Sequence, residues 1–398
     1  MTSLRVLLFR RGSGCWDATS RCLKLKHGFR ARDLEQLELR LVLDDPSTQL
    51  DYVKAGNRVQ VKLDDRTIFD GVIHERKISQ SDRLECEVAA YTSLIRYERY
   101  IVYRFYQAGT RAGEIIRDLG KLIDGEIPVN LSGVEDGDSL LSPWRIENET
   151  ALKVMRSVAR GTSCWLRMKP CLSYLSFDGV DDYVEVPDSP SLRPTTEVTI
   201  VVWLNLRGWT SYATIVGKHY FKQDYYALTL RGAEGSVGFL TYESSTGTDV
   251  LHFTYNYYNQ WKQIAAVFDD GVKQVYIDGD KIAEKTAPHT TLTPVDAPLV
   301  VGAFLDHAKY LNGTVSQVLV YNRALTDIEI QCLYQNPFAP PTDSLVLWLR
   351  FNEGSGSVVY DWSGNENHGT IYGAEWGYEV YPKYVNSMLL EFRPKVTT

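Results

Sequence analysis

Short runs of alternating apolar and polar residues recur along most of this chain. In Leu37-Glu38-Leu39-Arg40-Leu41-Val42-Leu43 and in Val59-Gln60-Val61-Lys62-Leu63 every second side chain turns to one face, the period-two pattern of a half-buried strand. Comparable runs at 4–9, 21–26, 36–43, 58–63, 67–78 and 83–91 are separated by clusters of turn residues. Leu63-Asp64-Asp65-Arg66-Thr67 predicts a tight hairpin between two of them. Together these runs predict a compact antiparallel β-domain, closed or nearly so.

The period then changes. After Thr110, a candidate helix cap, the residues Ile115, Ile116, Leu119 and Leu122 share one helical face, and a second helix is expected from Thr150 to Ala159 with Leu152, Met155 and Val158 inward. Strand signals return at 198–206, 213–218, 225–231, 237–242, 252–255, 261–269, 273–277, 281–284, 298–303 and 311–321. Asp278-Gly279 predicts a type I′ hairpin, and the last of these strands leads to a helix capped at Thr326 with Glu329 as its box partner. From Leu345 to Trp376 follow an apolar strand, a Gly- and Ser-rich turn, a short strand, an Asx- and Gly-dense loop and a strand opening on Gly369-Thr370-Ile371-Tyr372. Strands at this density predict two packed sheets.

Two distant segments match each other. LRMKP, ending at Pro170, and LEFRP, ending at Pro394, close strands of equal length, and without residues 172–380 they would be consecutive strands of one hairpin. Residues 1–171 and 381–398 are therefore expected to form one domain, with 172–380 inserted at a hairpin tip, where chains tolerate insertion. The alternative is one repeat at 175–335, the linker NPFAPPTDS and a truncated second repeat, which leaves LVLWLRF a lone apolar strand.

Composition narrows the function classes. A length of 398 residues predicts two or three domains, and 44% hydrophobic residues suffice for full cores. The 25 tyrosines and 9 tryptophans favour β-structure and aromatic binding surfaces over helical bundles. A formal charge of −7 without a long basic run argues against nucleic acid and anionic membranes as partners. The chain holds no run of eighteen apolar residues, so no membrane insertion is expected. The apolar stretch Leu4–Phe9, broken by Arg5, is too short for a signal-peptide core, which suggests synthesis in the cytoplasm. Six cysteines without a CxxC pair or nearby histidines argue against structural zinc, and free thiols are expected, although Cys15 with Cys22 or Cys164 with Cys171 would bridge if each pair spans a turn.

Two family resemblances organise the rest. IFDGVIHERKI (Ile68 to Ile78), AAYTSLIRYERYIVYRFY (Ala89 to Tyr106) and AGEIIRDLGKLI are similar to hub and baseplate proteins of phage-type tails and related injection machines. An unrelated β-barrel with two helices is the alternative. LSFDGVDDYVEVPDSPSL, QWKQIAAVFDDGVKQVYIDGDKI, GTVSQVLVYNRALTDIEIQCLY and NEGSGSVVYDWSGNENHG resemble the laminin-G-like, concanavalin-A-like jelly roll. In that family the NEGSGS segment normally comes first and FDGVDDYVEVP follows, so the reversed order implies a circularly permuted module. The fold expectation is mainly β: a hub-type β-barrel domain with two helices plus an inserted antiparallel β-sandwich.

The resemblances imply a structural virion protein of a tail tip or baseplate, assembled in a host cytoplasm and acting outside the cell. Its partners would be other tail proteins and further copies of itself, as a trimer, with the lectin-like module contacting host-surface glycans or stabilising the particle. A secreted or cell-surface glycan-binding adhesin is the alternative. A glycoside hydrolase is a third reading, disfavoured because no Glu-x-Asp-x-Glu run places paired carboxylates on one strand face; Asp181, Asp182 and Glu185 come nearest. No catalysis is expected. Asp361, Asn365 and Asn367 crowd one loop with hard oxygens suited to Ca2+, and the laminin-G likeness implies that Asp178 approaches them. The bland alternative is that these residues only make turns. For sugar stacking, Trp209, Tyr212, Tyr220, Tyr225, Tyr257 and Tyr258 lie in or beside predicted loops, with burial in the core as the alternative for each.

Overall fold

The computed structural model describes residues 4–9, 15–30, 34–55, 57–63, 66–80, 84–123, 129–162, 164–220, 223–232, 234–304, 309–335, 337, 340–380 and 387–394. The protein is mainly β and folds as two compact units. One comprises the described residues of 1–172, 352–354 and 378–398; the other comprises those of 173–351 and 355–377.

In the first unit the alternating runs become β1 (Leu4–Phe9), β2 (Cys15–Asp17), β3 (Cys22–Arg30), β4 (Leu34–Val42), β5 (Arg58–Leu63), β6 (Arg66–Gln80) and β7 (Leu84–Thr92). They form an antiparallel sheet in the order β2-β1-β5-β6-β7-β4-β3. Val6, Leu8, Leu37, Leu39, Leu41, Val59, Val61 and Phe69 fill its core, as the period-two pattern requires. Leu63 pairs with Arg66, while the turn residues 64 and 65 between them lie outside the described residues. Among the described residues β2 and β3 do not pair, so the sheet is open there rather than a closed barrel. The helix α1 (Pro46–Tyr52) was not foreseen, although Asp45-Pro46 is a start signal: the Asp45 carboxylate accepts from Thr48 Oγ1 at 2.6 Å, and proline suits the first turn.

Next come β8 (Ile101–Tyr106), α2 (Ala112–Gly120), β9 (Val129–Asn130), β10 (Trp144–Thr150) and α3 (Ala151–Gly161). Ile115, Ile116 and Leu119 of α2 are buried. The helix begins one residue later than the expected Thr110 cap, because the Glu114 carboxylate returns to the Arg111 N–H at 3.0 Å. Ile123 is buried where Leu122 was expected, since the chain tightens into a 3-10 turn at Lys121–Ile123. In α3, Thr150 Oγ1 accepts from the Lys153 N–H at 3.2 Å, and Leu152, Met155 and Val158 are buried as read.

The strand β11 (Cys164–Asp178) leads into the second unit. There follow β12 (Tyr183–Val186), β13 (Glu197–Gly208), β14 (Thr214–Tyr220), β15 (Gln223–Leu230), β16 (Ser236–Glu243), β17 (Gly247–Thr254), β18 (Trp261–Asp269), β19 (Val272–Ile277), β20 (Asp280–Thr286), β21 (Leu299–Val301) and β22 (Asn312–Tyr321). After α4 (Asp327–Gln335) come β23 (Leu345–Leu349), β24 (Val358–Val359), β25 (Gly369–Tyr372) and β26 (Glu375–Val380). One sheet runs β17-β16-β15-β14-β21-β12-β25-β24, and the other runs β20-β19-β18-β13-β22. The last residues of β11 and the whole of β23 share the remaining edge of β22, Asp178 opposite Asn312 and Leu349 opposite Val318.

Ile200, Val202, Leu204, Phe239, Phe268 and Val318 are among the side chains packed between these sheets. On the outer face of the second sheet, Val201, Trp203, Ala265 and Leu319 are covered by Ile330 and Leu333 of α4. Thr326 and Glu329 cap that helix reciprocally, as the sequence predicts: the Thr326 N–H donates to Glu329 Oε2 at 2.9 Å and the Glu329 N–H to Thr326 Oγ1 at 3.3 Å.

The closing strand β27 (Ser387–Pro394) belongs to the first unit. It pairs antiparallel with Cys164–Cys171 of β11, from Cys164 opposite Pro394 to Cys171 opposite Ser387, and runs parallel to β9 on its other side. No disulfide joins any of the six cysteines among the described residues. No helix of the described residues is long and apolar enough to cross a membrane.

Candidate functional site

Strand register gathers several turns of the sandwich at one end. Asn312 at the start of β22 lies between Asp178, the last residue of β11, and Gly208, the last of β13. In the facing sheet, Tyr183 opens β12 opposite Tyr372, which ends β25. The Leu206 carbonyl accepts from the Asn259 N–H at 2.8 Å, and the Leu230 carbonyl accepts from the Tyr212 N–H at 2.9 Å. The turns that begin at Asp178, Gly208, Leu230, Thr254 and Tyr372 therefore converge on one rim.

The chemistry at that rim starts with FDGVDD. Asp178, Asp181 and Asp182 each bring a carboxylate oxygen within 4.8 Å of the others. Gly179, at φ +86°, turns the chain so tightly that the Val180 N–H donates to Asp178 Oδ1 at 2.7 Å and the Asp178 N–H to Asp182 Oδ2 at 2.7 Å. Asp178 and Asp181 are exposed and Asp182 is buried. Burial pushes the Asp182 carboxyl above its ordinary value, and the neighbouring Asp178 and Asp181 charges add to the rise against the hydrogen bond from the Asp178 N–H. Gly373, at φ +75°, lies so close to Asp182 that any Cβ there would collide with Asp182 Oδ1.

Beside the carboxylates, the Tyr183 and Tyr372 rings stack with centroids 4.5 Å apart and planes 13° from parallel. Tyr372 is 42% exposed, and Val180 next to the carboxylates is 68% exposed. Arg207 reinforces the rim from below, donating through Nη2 to Ser176 Oγ at 2.9 Å and to the Phe177 carbonyl at 2.7 Å. An open aromatic face beside a group of hydrogen-bond acceptors suits a ligand that is apolar on one face and hydroxylated at its edge, as a sugar ring is.

Four of the six aromatic candidates lie on this rim. Tyr212 is 46% exposed, held at φ +68° and covered by the Arg231 guanidinium 5.1 Å from its ring centroid. Tyr257 is half-buried, with Lys262 Nζ 4.4 Å from its centroid. Tyr258 is half-buried too, and burial, then the nearby Glu234 carboxylate, push its hydroxyl up to about 12. Trp209 packs half-buried against the sandwich core. The fifth, Tyr225, corrects the expectation: it is fully buried, its hydroxyl bonded to the Pro194 carbonyl, so it serves the core and not a ligand. Tyr220 ends β14, and its side chain lies outside the described residues.

The expected meeting of Asp178 with the Asx loop does not occur. Asp361 Oδ1 accepts from the Trp348 N–H at 2.8 Å, and Trp348 faces Leu319, seven residues along β22 from Asn312. At about 3.3 Å per residue this separates the two groups by roughly 20 Å. Asp361 is already saturated: Oδ1 also takes the Ser363 N–H at 2.9 Å, and Oδ2 takes Ser363 Oγ at 2.8 Å and the Asn367 N–H at 3.0 Å. Asn365 Nδ2 donates to the Leu345 carbonyl at 3.1 Å, and Asn367 Nδ2 to the Val346 carbonyl at 2.8 Å. The loop is thus a clasp that fastens itself to β23: the Asp361 carboxylate is spent on N–H and O–H donors of the chain, and the two asparagine amides donate to β23 carbonyls. Among the described residues the set of oxygens that fits a hard cation is Asp178, Asp181 and Asp182. Asp181 and Asp182, which the sequence offers only as a weak match to a hydrolase motif, join Asp178 through the local FDGVDD turn, whereas Tyr372 carries no sequence signal for the rim because the β12–β25 pairing that brings it to Tyr183 joins residues far apart in the chain.

Residues 178–331 match the family profile of the concanavalin A-like lectin/glucanases superfamily. The second unit thus contains a laminin-G-like, concanavalin A-like domain. No curated protein matches the chain. Similar solved structures include a candidate carbohydrate-binding protein from Bacteroides ovatus, at 14% identity over 96% of this chain and 92% of that one, with a TM-score of 0.45. They also include the SAP-like pentraxin of Limulus polyphemus, at 15% identity over 54% of this chain and 97% of that one, with a TM-score of 0.37. Scores this low carry no functional weight. These matches lend the tail-hub reading of residues 1–171 no support.

Proposed function

We propose that the second unit is a non-catalytic glycan-binding module of an adhesin-like protein, and that its ligand binds at the rim formed by Asp178, Asp181, Asp182, Tyr183 and Tyr372. The observation that carries this reading is the stacked, part-exposed Tyr183–Tyr372 pair beside three clustered carboxylates, in a domain whose family profile is that of lectins and glucanases. A sugar ring stacks on Tyr372 while its hydroxyls donate to Asp178 and Asp181, the two exposed members of the trio. A calcium ion held by the same carboxylates would bridge protein and sugar hydroxyls. The module is also read as circularly permuted. In support, β23 and β25, which follow the matched stretch in the chain, occupy places beside β22 and β12 in its two sheets.

A glycan array with the whole protein, followed by calorimetry on the best ligand with calcium and with chelator, tests this reading. Tyr372→Ala is expected to weaken binding about tenfold or more, roughly 1.4 kcal/mol. Asp361→Asn, at the opposite end, should leave affinity unchanged while lowering stability. Absence of any glycan ligand, or a Tyr372→Ala protein that binds normally, would refute the proposal. Binding that survives both chelator and Asp181→Asn would remove calcium from it.

A further inference from the structure

The sheet of the first unit carries a groove of about 440 Å³ on the face turned away from its core. In β4, Leu37, Leu39 and Leu41 are buried in that core, so Gln36, Glu38 and Arg40 turn to the other face. Register sets Glu38 of β4 and Glu75 of β6 on either side of Ala89 of β7, and Glu87 and Tyr91 lie two residues from Ala89 along its own strand. The short alanine side chain is therefore the low point of the groove, with three carboxylates and a tyrosine ring around it. Two nearby cations are engaged elsewhere: Arg40 Nε donates to Glu85 Oε2 at 2.7 Å, and Arg76 Nη1 to the Leu50 carbonyl at 3.0 Å. Gln36 lines the same groove and is 5% exposed. Its Nε2 donates to Glu38 Oε1 at 3.2 Å, while its buried Oε1 has no hydrogen-bond partner. A buried acceptor is costly to leave without a donor.

We infer that this groove binds a guanidinium group whose carrier also bears a carboxylate, as arginine does. The three glutamates do not close on a metal ion: among the described residues, the group whose oxygens converge within 4.8 Å is Asp178, Asp181 and Asp182. A wider, planar cation suits the more open spacing around Ala89. The Gln36–Glu38 hydrogen bond holds two acceptors side by side, which matches the fork of N–H donors on a guanidinium. Tyr91, braced by His74 with ring centroids 5.5 Å apart, adds an aromatic surface for the cation. The next row of side chains is two residues along the strands, roughly 7 Å away. There Lys77 stands opposite Glu87 and Lys24 opposite Arg40, both lysines exposed and lining the groove. Their ammonium groups attract the carboxylate, and an arginine spans the distance between the two rows. This inference is independent of the glycan reading, since it rests on the other unit.

Calorimetry on the whole protein at low salt tests the assignment. L-arginine and the peptide acetyl-Gly-Gly-Arg, which keeps both charges, should bind saturably; agmatine, which lacks the carboxylate, should bind more weakly, and citrulline, the uncharged isostere, not at all. Binding by the peptide alone assigns the ligand to a protein C-terminus, and binding by both admits the free amino acid. Glu75→Gln, at an exposed position, should weaken binding about threefold, the worth of one exposed ion pair. Ala89→Lys, which sets an ammonium at the low point of the groove, should abolish binding with an unchanged circular dichroism spectrum. Glu87→Gln serves in its place if the lysine variant misfolds, with a loss like that of Glu75→Gln. Failure of both L-arginine and the peptide to bind, citrulline binding as tightly as arginine, or affinity indifferent to every one of these substitutions overturns the proposal. Agmatine binding as tightly as arginine overturns the part assigned to Lys24 and Lys77.

Discussion

Lys273 shows how far a single side chain can depart from its ordinary chemistry inside this sandwich. It is fully buried on β19, and its Nζ donates to the Asp249 carbonyl at 2.8 Å and to Asp249 Oδ2 at 3.3 Å; Asp249 also binds Lys285. Burial pushes the Lys273 ammonium down to about 7, only partly opposed by Asp249, and the Lys285 charge lowers it further. The unfolded lysine holds its proton to about 10.4 and the folded one releases it near 7, so between these values the unfolded state binds more protons and stability rises with pH. Urea midpoints at pH 7 and 9 should show that rise in the wild type and a smaller one in Lys273→Met. Equal rises would show that Lys273 is not the group responsible. His289 nearby is pushed down by burial and by Lys273, so it adds a loss of stability as pH falls toward and below its ordinary range. No residue pattern announces this cluster, because Asp249 and Lys273 belong to different sheets.

Among elements, α4 is the one whose boundary was most legible, since its cap is made within four residues. Glu329 closes the box with Thr326 and takes both arms of Arg323, at 2.9 and 2.6 Å. The Arg323 hydrogen bonds, more than the charge alone, hold the Glu329 carboxyl down to about 2. A depressed carboxyl stabilises the fold above its ordinary value near 4.5, and that contribution is lost as pH falls toward about 2. Glu329→Gln should therefore cost about 1 kcal/mol at neutral pH, judged from helix-cap losses, and the gap from wild type should narrow on acidification. A gap that stays constant to low pH would assign the loss to packing. The strands were legible for a similar reason: a period of two is local. The missed α1 had a local signal too, Asp45-Pro46, but its seven residues carry no buried side chain and so leave no apolar stripe to read.

For the whole molecule, the pairing of β11 with β27 is the decisive contact of chain ends. Leu166 faces Phe392 and Met168 faces Leu390, all four buried, and the entire sandwich lies between these partners in sequence. This arrangement predicts that replacing residues 172–386 with a two-residue Asn-Gly turn leaves a first unit that folds and melts cooperatively, because the turn joins Cys171 to Ser387, which already pair. Aggregation of that shortened chain, with loss of strand signal in circular dichroism, would show that the first unit depends on the segment removed.

Periodicity, turn chemistry and capping determined the mainly β class, most of the strands, two amphipathic helices and the Thr326–Glu329 box, because each depends on residues within one or two turns of chain. The laminin-G likeness was likewise carried by contiguous motifs. Only the tertiary structure decided which polar residues remain available to a ligand. Asp361, Asn365 and Asn367 look like a cation loop in sequence, yet their polar groups are used to fasten β23. Tyr225 looks like a loop tyrosine and is core. Tyr372, unremarked in its strand, is brought against Tyr183 by a pairing that bridges half the chain. Whether a side chain binds a ligand or its own backbone depends on which segments become neighbours, and that choice is made by burial across long sequence distances, where no local pattern reaches.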